Sequence, residues 1–226
     1  YTQGVSAVDV DGDGLVEVYA TNSWTRDPNF FYTNEDGVMT KMINPAFQDR
    51  FNSNGCSWAD FDGDGHLDLL LANVDNDSNV IYYIDKTELK RHPLSQKDPS
   101  KSWTYGCSWI DADNDGYLDL YTVNFKEQPN ILYLQSEDGF IETESNLSLL
   151  GSKSINAVWS DLNNDNKQDV IVCGEDGIRI LINRGELKFD EVDHGLPDSY
   201  TYGCSQADYN NDGNIDLFFA NWNGPN

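Results

Sequence analysis

The chain has 226 residues and carries 39 acidic against 14 basic residues, which gives a formal charge of −25 at pH 7. Nucleic acid and anionic membrane surfaces are excluded as partners, because both repel a protein of this charge. With 38% hydrophobic and 12% aromatic residues, the chain is too apolar for a disordered acidic segment. No apolar run approaches the roughly 20 residues of a membrane span, so membrane insertion is not expected.

One acidic motif, Asp-x-Asp/Asn-x-Asp-x-x-x-Asp/Glu, recurs about every 50 residues. Its copies begin at Asp9, Asp60, Asp111, Asp161 and Asp208. This period lies in the range of β-propeller blades and exceeds that of most helical solenoids. We therefore predict a single β-propeller region over 1–226 with five repeats, at 1–50, 51–101, 102–151, 152–198 and 199–226, the last of them incomplete.

Each repeat opens with a short strand, read as GVSAV, GCSWA, GCSWI, NAVWS and GCSQA. Side chains alternate between the two faces of a strand, so large and small residues occupy opposite faces. We expect Trp58, Trp109 and Trp159 to pack as core residues against the small residues of the next repeat. The cysteines of these segments, and Cys173, are interpreted as small buried apolar residues.

The acidic motif follows the first strand and predicts a calcium-binding loop. Clustered carboxylates repel one another unless a cation lies between them, and calcium takes about six to eight oxygen ligands. Positions four and six are Gly or Asn in every copy, which suits the left-handed backbone of a loop wrapped around an ion. We expect up to five Ca²⁺, one per loop, bound by side chains at positions one, three, five and nine and by the backbone carbonyl at position seven: Asp9, Asp11, Asp13, Leu15 and Glu17; Asp60, Asp62, Asp64, His66 and Asp68; Asp111, Asp113, Asp115, Tyr117 and Asp119; Asp161, Asn163, Asp165, Lys167 and Asp169; and Asp208, Asn210, Asp212, Asn214 and Asp216.

An EF-hand also begins with spaced aspartates, but it needs a glutamate at loop position 12 and a helix on either side. The flanking segments here have the pattern of strands, and position 12 is never glutamate. An EF-hand is therefore excluded by Ala20, Leu71, Thr122, Val172 and Phe219.

The loops differ in their charge. The fourth loop has Asn163 at position three, Asn166 at position six and Lys167 at position seven. Fewer charged ligands weaken calcium binding. We predict that this site is the first of the five to lose its ion.

Three more strands follow the loop in each complete repeat. The first is a nearly continuous apolar run, read as VEVYAT, LDLLLA, LDLYTV, QDVIVC and IDLFFA, which is typical of a strand covered on both faces. A third strand and a weaker fourth strand come next. Four antiparallel strands in each repeat, repeated radially, predict an all-β fold: a β-propeller with four-stranded antiparallel blades of about 50 residues.

The segments YGCSWIDADNDGYLDLYTVN and NGCSWADFDGDGHLDLLLAN resemble the FG-GAP-like or VCBS repeat of calcium-binding propellers, which is related to the blades of integrin alpha chains. The resemblance covers essentially the whole chain. It implies that the calcium loop joins the first and second strands of each blade. Because an incomplete fifth repeat would leave an unpaired sheet edge, we expect the chain to be a portion of a larger ring, for which the resemblance implies seven blades; the alternative is a compact five-bladed ring. The literal Phe-Gly…Gly-Ala-Pro signature is replaced by residues such as 105–108, Tyr-Gly-Cys-Ser. This departure argues against an integrin-type role but leaves the predicted fold unchanged.

Connections between second and third strands, and between repeats, lie at the end of each blade opposite the calcium loop. Aromatic residues gather in these connections, where exposed rings suggest a binding site for a glycan or a protein. The alternative is that they seal the junctions between blades. The candidate ligand-binding residues are Trp24, Phe125, Trp222, Trp103, Tyr105, Tyr200 and Tyr202.

A basic segment in the second repeat is a further candidate for contact with an acidic ligand or subunit. Its alternative interpretation is a solvated loop. The segment covers residues 86–101 and contains Lys86, Lys90, Arg91, Lys97 and Lys101.

These patterns favour an extracellular, secreted calcium-binding module for adhesion or binding, with a glycan or an extracellular protein as its ligand. The location is inferred from calcium, since open sites of this type fill where calcium is millimolar. The alternatives are the propeller part of a carbohydrate-active enzyme, or a structural subunit that contacts other subunits or domains of a larger chain. We predict that the chain is not an enzyme, because His66, His92 and His194 lack metal-ligand spacing and no nucleophile motif occurs.

Overall fold

The computed structural model describes residues 2–42, 50–75, 77–85, 88–94, 103–137, 139–149, 153–196, 199–222 and 224. They form 18 β-strands and one 3₁₀ turn, Asn146–Leu149. Within these ranges, no helix has the length and hydropathy needed to cross a membrane. The predicted all-β class is confirmed.

The strands follow one another at regular intervals along the chain. In order they are β1 (Thr2–Val8), β2 (Glu17–Asn22), β3 (Phe30–Glu35), β4 (Val38–Met42), β5 (Asn52–Ala59), β6 (Asp68–Val74), β7 (Val80–Asp85), β8 (Glu88–Pro93), β9 (Thr104–Ile110), β10 (Asp119–Asn124), β11 (Ile131–Ser136), β12 (Gly139–Thr143), β13 (Ser154–Ser160), β14 (Asp169–Gly174), β15 (Gly177–Asn183), β16 (Phe189–Val192), β17 (Thr201–Ala207) and β18 (Asp216–Asn221).

Each complete repeat has the strand pattern of a propeller blade. The first, second and fourth repeats form four-stranded sheets in the orders β1-β2-β3-β4, β5-β6-β7-β8 and β13-β14-β15-β16. In the third repeat, β10, β11 and β12 are antiparallel neighbours in the same order, and the fifth repeat contributes the antiparallel pair β17 and β18. Such meandering sheets are typical of β-propellers, and the predicted blade type is confirmed.

The chain divides into two compact units, Tyr1–Trp109 and Ile110–Asn226, and each has its own apolar core. In the first unit, Tyr19, Leu69 and Tyr82 belong to one buried cluster. In the second unit, Tyr121 and Val170 belong to another. Second strands supply much of both cores: β6, β10 and β14 are buried along their whole length, as the apolar runs predicted.

The tryptophans of the first strands pack toward the preceding repeat. Trp58 Nε1 donates a hydrogen bond to Ser6 Oγ at 2.9 Å, and its ring meets that of Tyr19 edge-on with 5.9 Å between centroids. Trp159 meets Tyr121 in the same way at 5.4 Å. The prediction that these rings face the next repeat is wrong. Strand alternation identifies the face on which a side chain lies, but the aromatic second strand of the preceding sheet decides which neighbour it contacts.

A close approach of backbones lies at the end of the first strands away from the acidic loops. At Gly4, an added Cβ would lie 2.6 Å from Asn54 O, so a larger residue does not fit without a backbone shift. Thr21 Oγ1 bridges this contact, since it accepts a hydrogen bond from Gly4 N at 2.8 Å and donates one to Asn54 O at 3.0 Å. Neighbouring sheets of the first unit are thereby joined through their first strands.

The four cysteines carry free thiols. Cys173 and Cys204 are buried in one apolar cluster, whereas Cys56 and Cys107 are half-buried. Burial raises the pKa of the Cys56 thiol, and a hydrogen bond with Ser6 partly opposes this shift. Their surroundings fit the predicted role as small apolar side chains.

Candidate functional site

The first aspartate of each acidic loop folds the loop around its own side chain. In the third loop, Asp111 Oδ1 accepts a hydrogen bond from Asp115 N at 3.1 Å, and Asp111 Oδ2 accepts one from Gly116 N at 3.1 Å. Aspartate is favoured in tight turns for such bonds to the backbone. Both bonds are also made by Asp9, Asp161 and Asp208, whereas Asp60 accepts only the bond from Gly65 N.

The aspartate at position five is also fixed in the same way in every copy. Asp115 Oδ1 accepts a hydrogen bond from Tyr117 N at 2.9 Å, which holds one oxygen of the carboxylate against the loop backbone. The equivalent bonds link Leu15 to Asp13, His66 to Asp64, Lys167 to Asp165 and Asn214 to Asp212.

Positions four and six have positive φ angles in all five loops. In the third loop, φ is 62° at Asn114 and 92° at Gly116. Only glycine, and at modest cost asparagine, adopts this conformation readily, so the predicted reason for these residue types is confirmed. The other positions with positive φ are Gly12, Gly14, Gly63, Gly65, Asn164, Asn166, Asn211 and Gly213.

The carboxylate at position nine is different, because in the first four loops it is buried in the sheet. Asp119 is 1% exposed; its Oδ2 accepts a hydrogen bond from Ala112 N at 2.9 Å and its Oδ1 accepts one from Gln135 N at 2.9 Å. One side chain thus ties the start of the loop to the third strand of the blade. Related bonds are made by Glu17, Asp68, Asp169 and Asp216.

Burial makes three of these carboxylates, Asp68, Asp119 and Asp169, costly to ionise when no cation is near. Burial raises the pKa of Asp68 to about 7, opposed by the hydrogen bond from Ile84 N and supported by the charges of Asp62 and Asp64. Burial likewise raises the pKa of Asp119 to about 6. A bound cation would relieve this cost, because an opposite charge stabilises the ionised form.

The second loop contains two oxygens that lack a partner. Asp60 Oδ1 and Asp68 Oδ2 are buried and accept no hydrogen bond. Buried polar atoms are nearly always paired in folded proteins, and a hard cation is a natural partner for carboxylate oxygen. The donor set of this loop therefore fits a calcium ion.

Carboxylates converge in three of the loops. In each, one oxygen from every member of the group lies within 4.8 Å of the others, a spacing compatible with ligands placed around one ion at about 2.3–2.6 Å. The groups are Asp9, Asp11 and Asp13; Asp60, Asp62 and Asp68; and Asp111, Asp113 and Asp115. The fourth and fifth loops place Asn163 and Asn210 at position three, where an amide oxygen replaces the carboxylate.

In the first three repeats, the end of the sheet opposite the loop is held by a pair of buried asparagines, which the sequence analysis missed. Asn124 N donates to Asn130 Oδ1 at 2.8 Å, and Asn130 Nδ2 donates to Tyr121 OH at 3.0 Å and to Ser154 Oγ at 3.0 Å. This network closes the base of the connection between second and third strands and ties it to the next repeat. The corresponding pairs in the first unit are Asn22 with Asn29 and Asn73 with Asn79.

In the first unit, two of the predicted aromatic residues meet at this end. The ring centroids of Trp24 and Trp103 are 5.7 Å apart. Trp24 is 51% exposed and has a φ of 72°, an unusual conformation for a bulky residue. Nearby in the chain, Arg26 lies 3.8 Å from Asp75 and 3.5 Å from Asp77. We call the two rings the Trp24–Trp103 pair.

In the second unit, three of the predicted residues form a tyrosine–tryptophan cluster: Tyr200, Tyr202 and Trp222. Their ring centroids are 5.5–6.3 Å apart and their planes differ by 27–35°. Trp222 is 65% exposed and Tyr202 is 40% exposed. Burial raises the pKa of Tyr200, and the charges that act on it include Glu175 and Lys153. These last two form an ion pair at 3.2 Å, so the cluster has charged groups beside it.

The remaining predicted residues are less exposed or lie outside the described ranges. Phe125 and Tyr105 are half-buried. Of the basic segment, Arg91 places its guanidinium 4.8 Å from the centroid of the Phe51 ring. Three of the five basic residues, Lys86, Lys97 and Lys101, lie outside the described residues.

The repeats of this chain match a known protein family. The model of the FG-GAP-like repeat matches residues 9–71, 62–122, 111–172 and 161–219. Cartilage acidic protein 1 of Xenopus tropicalis is 27% identical across 98% of this chain and 40% of its own length. The human protein of the same name is 24% identical across 98% of this chain and 39% of its own. The chain therefore spans about 40% of the length of the curated relatives it matches.

Solved structures share the fold at lower identity. An Agrocybe aegerita lectin that recognises non-reducing terminal N-acetylglucosamine aligns with a TM-score of 0.63 and 15% identity, over 95% of this chain and 59% of the lectin. A Bacillus licheniformis rhamnogalacturonan lyase aligns with a TM-score of 0.53 and 14% identity, over 97% of this chain and 44% of the lyase. At these identities the similarity concerns the fold alone.

Proposed function

Because the chain belongs to the FG-GAP-like repeat family, we propose that it is a calcium-stabilised propeller module that works outside cells and binds glycans. In this proposal calcium stabilises the end of the propeller sheets that carries the acidic loops, and exposed aromatic rings at the opposite end contact the sugar. The module binds its ligand without converting it.

The calcium part of the proposal is supported by the unpaired oxygens and by the convergence of carboxylates. Side chains at positions one, three, five and nine would hold the ion, and the carbonyl at position seven would add a ligand. When bound, the ion supplies positive charge and links the loop tip to the buried carboxylate. Asp68 and Asp119 would connect the calcium site to the sheet, since each accepts a hydrogen bond from the third strand of its blade.

The glycan part is carried by one observation, the tyrosine–tryptophan cluster. Its ring planes differ by 27–35°, and Tyr202 and Trp222 are exposed. The apolar face of a sugar ring can stack on such rings. The ion pair of Lys153 and Glu175 offers donors and acceptors for hydroxyl groups beside it. A formal charge of −25 favours neutral sugars over sulfated or uronic ones. The lectin with a similar fold supports the choice of ligand class.

The extracellular part rests on calcium supply. Open loops with few rigid constraints bind calcium at the high concentrations found outside cells, and not at the submicromolar concentration of the cytosol. A secreted location gives these loops their ion at all times. Calcium then acts as a permanent part of the structure and not as a signal.

A glycan array in millimolar calcium tests the binding role. We expect the chain to bind neutral glycans, and Trp222→Ala and Tyr202→Ala to lose most of that binding. Tyr209→Ala is the matched control, because Tyr209 is 87% exposed but lies at the loop end of its sheet. Equal binding by Trp222→Ala and the unmodified chain contradicts the proposed site, and release of sugar products from a polysaccharide contradicts the non-catalytic role.

A further inference from the structure

The fourth acidic loop differs from the other four by a lysine at position seven. The other loops have Leu15, His66, Tyr117 and Asn214 there. Backbone geometry does not separate the loops, because the fourth loop has the same hydrogen bonds from Asp165 N and Asn166 N to Asp161. The difference therefore lies in the charge that Lys167 brings.

Lys167 contacts the same aspartate twice. Its backbone N donates to Asp165 Oδ1 at 3.0 Å, and its Nζ donates to Asp165 Oδ2 at 3.2 Å. Both oxygens of this carboxylate are therefore engaged by one residue.

The lysine side chain is held against a turn on the same sheet. An added Cβ at Gly185 would lie 3.6 Å from Lys167 Cε, so the side chain runs along that turn. Gly185 N donates to Asn183 Oδ1 at 2.8 Å, and Asn183 N donates to Asp169 Oδ1 at 2.8 Å. The turn that supports Lys167 is thus connected to the buried carboxylate of the same loop.

We propose that the fourth loop binds no calcium and that the Lys167 ammonium takes the place of the ion beside Asp165. An ion at this loop would have to displace the ammonium or lie close to it, and like charges repel. Asn163 lowers the attraction for an ion further, since it replaces a carboxylate at position three. The fourth loop is then folded at any calcium concentration. This inference rests on the proposed calcium binding by the other loops.

Native mass spectrometry of the whole chain in calcium-containing buffer tests this inference by counting bound ions. We expect the unmodified chain to carry four ions and Lys167→Asn to carry five. Asparagine is the residue at the same position of the fifth loop, Asn214. A double variant, Asn163→Asp with Lys167→Asn, also restores the missing carboxylate and should carry five ions.

The matched control is Lys188→Asn, which removes another ammonium from the same repeat. The side chain of Lys188 is 70% exposed, and its ammonium pairs with Glu186 at 2.8 Å and not with a loop carboxylate. Its ion count should equal that of the unmodified chain. As a second readout, chelator should lower the melting temperature of Lys167→Asn below that of Lys188→Asn, and calcium should restore it.

The possible results separate the two proposals. Five ions on the unmodified chain overturn the role of Lys167 but leave calcium binding in place. No added ion on either the single or the double variant also overturns it. An unmodified chain that binds no calcium overturns the proposed function itself.

Discussion

The two ends of each sheet differ in how closely the repeats agree. At the loop end, all five copies share the hydrogen bond from the position-six N–H to the first aspartate and the positive φ angles at positions four and six. At the opposite end, the connection carries Trp24 in the first repeat and Phe125 in the third, and it shrinks to the turn Glu175–Asp176 in the fourth. An ion with fixed ligand distances tolerates little change, whereas a surface connection tolerates much. The comparison fits the proposal that calcium stabilises one end and that the ligand binds at the other.

The largest effect that we expect is from calcium removal, which tests the assignment of stability to the loop end. A ligand at a hundred times its dissociation constant stabilises by about 2.7 kcal/mol per site. The loss of several ions is therefore comparable with the roughly 5–15 kcal/mol that holds a domain folded. Melting followed by circular dichroism should shift far down in chelator and return on addition of calcium. A melting temperature that is unchanged by chelator would contradict the comparison.

The next effect separates anchoring from ion binding within one loop. In Asp119, both carboxylate oxygens accept backbone hydrogen bonds. In Asp119→Asn, the side-chain NH₂ group replaces one of these oxygens, so one backbone N–H loses its acceptor. We expect a loss of about 2 kcal/mol in unfolding free energy even without calcium.

Asp113→Asn is the matched control, because the fourth and fifth loops already have asparagine at this position. It should weaken calcium binding and leave the stability of the calcium-free chain nearly unchanged. Chemical denaturation in chelator measures both variants. Equal losses in the two would mean that position nine does not serve as an anchor.

The asparagine pairs predict that the end opposite the loops also contributes to stability, at the base of the connection between the second and third strands. Asn130 is fully buried and bonds to Asn124 N, Tyr121 OH and Ser154 Oγ. Asn130→Ala removes these three bonds and should cost about 2 kcal/mol. Phe125→Ala, in the connection above the base, should cost less. Denaturation midpoints in calcium compare the two, and the reverse order would contradict this division between base and tip.

Most of the loop end could be predicted from sequence because its chemistry is local. A carboxylate, a left-handed position and a buried ninth residue all lie within one short segment, and repetition shows their spacing. The asparagine pairs were as regular along the chain, at Asn22, Asn73 and Asn124. They were missed because a polar residue after an apolar strand is usually solvated, and only burial shows that its amide must be paired.

Contacts between distant segments could not be predicted in the same way. The meeting of Trp24 with Trp103, and the direction in which Trp58 packs, depend on how neighbouring sheets lie against each other. Periodicity gives the face of a strand but not the partner of that face. The contact between Lys167 and Asp165 could be predicted only in part. The sequence shows a lysine inside the fourth loop, but only the structure shows that its ammonium contacts the Asp165 carboxylate.

The smallest effect that we expect concerns strain at the tip of the opposite end. Trp24 has a φ of 72° and is 51% exposed, so it contributes little to the core while it adopts a backbone conformation that glycine prefers. Trp24→Gly should be about 1 kcal/mol more stable than Trp24→Ala, since alanine keeps the strain and glycine removes it. Both variants should lose any glycan contact made by the Trp24–Trp103 pair. Urea denaturation of the two variants in calcium measures the difference. Equal denaturation midpoints would show that the backbone at position 24 is not strained.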